Sequence, residues 1–86
     1  MDLTLQPVRV RIGGEAEQGL LVFVEGHLAA VLVCLSEEYG DEAGLWFLEA
    51  GFGHLASPHP VTFADLDAVE EWIARRLAGS NPRSPP

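Results

Sequence analysis

The stretch GLLVFVEGHLAAVLVCL, residues 19–35, decides the fold. Two apolar arms flank Glu25-Gly26, which reads as a two-residue hairpin loop, although Glu-Gly is a weaker turn signal than Asn-Gly. Such a loop sets Val24 opposite His27, Phe23 opposite Leu28 and Val22 opposite Ala29. Directly opposed residues share a face. One face then collects Leu20, Val22, Val24, His27, Ala29, Val31, Val33 and Leu35, and the other Leu21, Phe23, Leu28, Ala30, Leu32 and Cys34. A slip of one residue exchanges these sets, yet both faces stay apolar.

The flanking segments extend a sheet around this hairpin. QPVRVRI, residues 6–12, alternates Val8, Val10 and Ile12 with Arg9 and Arg11, as a half-buried strand does, and Pro7 suits a strand start or a sheet edge. GGEAEQG, residues 13–19, reads as a polar turn, and SEEYGDEAG, residues 36–44, as an acidic one. LWFLEAGF, residues 45–52, is the fourth strand. Trp46, Leu48, Ala50 and Phe52 take one side, and Leu45, Phe47, Glu49 and Gly51 the other.

After HLASPHP, residues 54–60, whose Ser-Pro and His-Pro pairs favour extended backbone, the spacing predicts a helix. Thr62 is the expected N-cap, Asp65 the acid of a capping box, and Val61 with Leu66 a hydrophobic staple. Leu66, Val69, Ile73 and Leu77 form the apolar stripe, flanked by Trp72. Arg75, Arg76 and Gly79 suit the C-terminal end. The expected architecture is α+β: a four-stranded antiparallel sheet in the order β-β-β-β-α, with the C-terminal helix on one face. Residues 1–79 make a single domain, and SNPRSPP, residues 80–86, a disordered tail.

Charge narrows the partners. Thirteen acids against five basic residues give −8, which disfavours nucleic acid and anionic membrane surfaces. The N-terminus lacks a signal-peptide pattern and the longest apolar run is eight residues, so a cytoplasmic location is expected. A single cysteine, Cys34, excludes an internal disulfide.

No P-loop, dinucleotide fingerprint, CxxC, HExxH or EF-hand spacing is present, and no metal or cofactor is expected. The acids Glu37, Glu38, Asp41 and Glu42 lack the spacing of a coordination shell and read as a solvated turn. Two constellations hold some chemistry. Glu49 can orient His54, with His59 nearby, for proton transfer, although no nucleophile or oxyanion donor accompanies them. Arg9 and Arg11 share a strand face and suit an anion, or equally a charged sheet edge.

The functional reading rests on area. A helix of about sixteen residues covers roughly 24 Å by 10 Å, enough for one face of a small sheet. The central arms are apolar on both faces, so the second needs a cover: a curled sheet edge, the linker HLASPHPV over residues 54–61, a second copy or another protein. The leading expectation is a noncatalytic interaction or assembly protein, homodimeric through an apolar sheet face, with Trp46, Phe47, Leu21, Phe23 and Leu32 as interface candidates. A heterologous protein partner would cover the same face. The first alternative is a small-molecule module with a pocket between helix and sheet near Trp46, Phe52 and Trp72. The second is a small hydrolase or isomerase using His54 and Glu49.

Overall fold

Glu25 (φ 54°) and Gly26 (φ 81°) both hold positive φ in the computed structural model, which describes residues 2–12 and 15–79. That conformation gives a two-residue turn the twist of the strands it joins. The turn links β2 (Glu15–Val24) to β3 (His27–Cys34), with Val24 opposite His27 and Phe23 opposite Leu28 as the sequence predicts. The next pair departs from expectation. Val22 lies opposite Ala30, because Ala29 is inserted as a β-bulge. The bulge shifts the phase of everything after it, so Leu20, Val22, Ala30 and Leu32 share one face.

β1 (Leu3–Ile12) pairs antiparallel with β2 along its full length, from Leu3 opposite Val24 to Ile12 opposite Glu15. The polar turn expected at residues 13–19 is therefore corrected: strand resumes at Glu15. β3 reaches β2 only between Gly19 and Val24, so the outer half of β1–β2 is a two-stranded ribbon. A ribbon with no third strand beside it tolerates the polar sequence that reads as a turn. The close approach is visible at Gly19, where an added Cβ would lie 2.6 Å from a Val10 methyl and 2.9 Å from the Leu32 carbonyl oxygen.

β4 (Trp46–Gly51) continues the sheet beside β3, with Leu32 opposite Leu48 and Val31 opposite Ala50. Glu49 is the extra residue of a second bulge. β5 (Thr62–Phe63) then pairs with β4, placing Trp46 opposite Phe63 and Phe47 opposite Thr62. The sheet thus has five strands, in the order β1-β2-β3-β4-β5, which corrects the expected four.

The fifth strand exists because the helix cap lies later than the sequence suggests. Asp65 Oδ1 accepts the Ala68 N–H at 2.9 Å, and the Asp65 carbonyl accepts the Val69 N–H at 3.3 Å. Asp65, rather than Thr62, is therefore the N-cap of α1 (Leu66–Gly79). Thr62 and Phe63 stay extended, and the neighbouring Val61 carbonyl accepts the Leu48 N–H at 2.9 Å. The extended course also buries Phe63, whose ring meets Trp72 edge-on at 5.3 Å.

α1 covers one face of the sheet. Val69 and Ile73 join Leu20, Val22, Ala30, Leu32, Leu48, Leu55 and Phe63 in one buried cluster. Val33 and Leu35 are also buried but stand outside that cluster. The tail expected over residues 80–86 lies outside the described residues.

The cap assignment has a direct consequence. Asp65→Ala is expected to cost about 1 kcal/mol of stability. Thr62→Ala, at an exposed position, is expected to stay within about 0.5 kcal/mol. Urea unfolding of both variants at unchanged m-value checks this, and the reverse ranking would restore Thr62 as the cap.

Candidate functional site

The bulge at Glu49 governs the local geometry. Two residues of β4 there oppose one of β3, so the alternation breaks after Leu48. Leu48 and Trp46 pack toward α1. Glu49 joins Phe47 and Val33 on the helix-free face, and Ala50 pairs with Val31 there. Gly51 consequently takes the helix side, where an added Cβ would overlap the Leu55 carbonyl oxygen. Gly53 reverses the chain at φ 62° and opens a short 3₁₀ turn, Gly53–Leu55. That turn drives Leu55 into the core at 1% exposure.

The irregular linker is strapped to the helix. Arg76 Nε–H donates to the His54 carbonyl at 3.2 Å, and Nη2–H donates to the Ala56 carbonyl at 2.8 Å. The same guanidinium lies 4.9 Å from the centroid of the Trp72 ring. Ser57 and His59 close a local turn, in which Ser57 Oγ accepts the His59 N–H at 3.3 Å and donates to the His59 carbonyl at 3.0 Å.

This architecture separates the two residues considered for proton transfer. Glu49 lines a hollow on the helix-free face, whereas the His54 turn docks on the α1 side. The side chains of His54 and His59 are exposed. Among the described residues no three His, Cys, Asp or Glu side chains gather as a metal ion would need.

The other candidates distribute by face. Leu21, Phe23 and Phe47 stand half-buried on the helix-free side. Leu32, at 1% exposure, belongs to the helix-side core, because the Ala29 bulge turns it there. Trp46 and Trp72 pack against that core, and Phe52 is 50% exposed beyond the end of β4. Arg9 and Arg11 follow Leu3 and Leu5 along the other side of β1, and both are exposed.

The hollow itself lies opposite the helix rather than beneath it. It encloses about 280 Å³ and is lined by Val33, Leu35, Tyr39, Glu42, Phe47 and Glu49. Tyr39 and Glu42 come from the acidic loop, which forms 3₁₀ turns over Glu37–Glu42 with a reversal at Gly40 (φ 63°). The base of the loop is clamped: the Leu35 N–H donates to the Leu45 carbonyl at 2.9 Å, and the Gly44 N–H to the Leu35 carbonyl at 2.8 Å. Tyr39 and Glu42 lie in the segment that reads as a solvated turn, where Tyr39, set among acids beside Gly40, is the residue suited to lean back over the sheet edge.

No protein-family model, curated protein or solved structure matches this chain.

The overlap at Gly51 sets a stability ranking. Gly51→Ala is expected to cost about 2–3 kcal/mol, since backbone has to move. Gly53→Ala meets no neighbour and carries only the positive-φ penalty of about 1–2 kcal/mol. Thermal or urea unfolding compares them, and equal losses would contradict the close packing of the 3₁₀ turn on β4.

Proposed function

We propose that this chain is a noncatalytic interaction or assembly protein that pairs with a second copy through the helix-free face of its sheet. One observation carries the reading. Leu21, Phe23, Val31 and Phe47 stand half-buried on that face, with Leu28 at 41% exposure beside them. Among the described residues, the acidic loop reaches over part of it, at the Val33 and Leu35 end. Thr4, Gln6 and Glu49 border the apolar stripe. An apolar centre with a polar border is the usual anatomy of a protein interface.

A twofold axis suits this surface, because a stripe that matches itself closes a dimer without leaving a second patch open. Two such sheets pack about 10 Å apart with strands within about 30° of alignment. The ribbon adds Val8 and Val10, both half-buried, to the same face. A stable interface takes roughly 800 Å² from each partner. A cytoplasmic setting fits this reading.

Sedimentation equilibrium over a wide concentration range tests it. The expected species is twice the 9.3 kDa chain mass. Phe23→Glu and Leu21→Glu, each checked for folding by circular dichroism, are expected to weaken association by about 2 kcal/mol or more, roughly 30-fold. A folded wild-type monomer through high micromolar concentration would overturn the proposal.

A further inference from the structure

The hollow beneath the acidic loop has a composition that specifies a ligand class. Its floor is aliphatic: Val33 and Leu35 are 1% and 7% exposed. Phe47 and Tyr39 bring two aromatic rings to it, and Glu42 and Glu49 two carboxylates. Among the described residues no basic side chain lines it. Alternation along β4 sets Glu49 two residues from Phe47 on the same side. The loop clamped at Leu35, with its reversal at Gly40, brings Tyr39 and Glu42 to the hollow.

Each lining group narrows the occupant. Two carboxylates repel an anion and are wasted on a neutral apolar molecule. A hard metal ion requires about six or more oxygen ligands, which a floor of valine and leucine does not supply. An ammonium or guanidinium group satisfies the carboxylates and is attracted to an aromatic face. An aliphatic stem behind that group buries its methylenes on the floor, as lysine and arginine stems do on apolar surface. The volume lies just below the roughly 300–1,000 Å³ of drug-sized pockets, so the occupant is small.

We infer that the hollow formed by Tyr39, Glu42, Phe47 and Glu49 over Val33 and Leu35 binds an organic cation carried on a short aliphatic stem. The site shares Phe47 and Glu49 with the proposed pairing face, so cation binding and chain association are read separately. The cation comes either from a free alkylamine or alkylguanidine, or from an arginine or lysine side chain of a partner.

The test uses the full chain and three probes: n-butylguanidinium, its uncharged analogue n-butylurea, and the tripeptide acetyl-Gly-Arg-Gly-amide. Binding is followed by NMR through the Tyr39 and Phe47 ring resonances, with sedimentation of the same samples reporting association separately. The expected result is saturable shifts with at least one of the two cations and none with n-butylurea. Saturation by butylguanidinium alone assigns the site to a free cation, and saturation by the tripeptide assigns it to a side chain on a partner. Glu42→Gln and Glu49→Gln, both at exposed positions, are each expected to weaken binding about 2–5-fold. Phe47→Leu is expected to weaken it by a further factor of about 2–5. Equal binding of n-butylurea, unchanged affinity in the doubly substituted glutamine variant, or no saturable shift with either cation would overturn the inference. A monomer that binds the cation keeps this site and removes the dimer; a dimer that ignores it does the reverse.

Discussion

Two single-residue bulges, at Ala29 and Glu49, determine which side chains meet the helix. Side chains alternate strictly along a strand, so one inserted residue reverses the face of all that follow. With the first bulge, Ala30 and Leu32 turn toward α1 beside Val22 and Leu20. With the second, Ala50 turns to the helix-free face beside Val31, and Gly51 to the helix side beside Ala30. Ala30 lies in that core and Ala29 packs against it. The core and the helix-free apolar stripe both follow from this pair of phase changes.

Plain alternation explains why the acid of β4 is tolerated inside an apolar strand. A carboxylate on the helix side would have to be desolvated in the core at a cost of several kcal/mol. Glu49 follows Leu48 to the solvent side, and the bulge then brings Gly51 to the crowded side, where a side chain would strike the Leu55 carbonyl. Leu55 then plugs the core, and Arg76 ties the following linker to α1 through two backbone carbonyls. An acid, two glycines and an arginine far along the chain thus serve one local arrangement.

Much of this was legible in the sequence. The Glu25-Gly26 turn, the apolar character of both sheet faces and the helical stripe of Leu66, Val69, Ile73 and Leu77 rest on local periodicity, which the fold retains. Bulges are different, since a strand with one extra residue has the same composition as one without. Ala30 and Leu32 were therefore read onto the wrong face relative to Leu20 and Val22. The two-residue strand Thr62–Phe63 is too short to carry a period, and its threonine imitates a cap because an acid follows three residues later. The outer ribbon was read as a turn because Glu15 to Gly19 is polar and glycine-bounded. Of the site candidates, Phe47 and Glu49 do meet at one hollow, whereas His54 is carried to the other side of the sheet.

Methyl-labelled NMR measures the phase of the strands most directly. If the bulges are placed as described, cross-relaxation connects the methyl groups of Ala30 and Leu32 with those of Val69 and Ile73, and leaves Val31 and Val33 unconnected to the helix. Contacts from Val31 or Val33 to Val69 and Ile73, with Ala30 and Leu32 silent, would show an unbulged β3 and would contradict the account at its foundation.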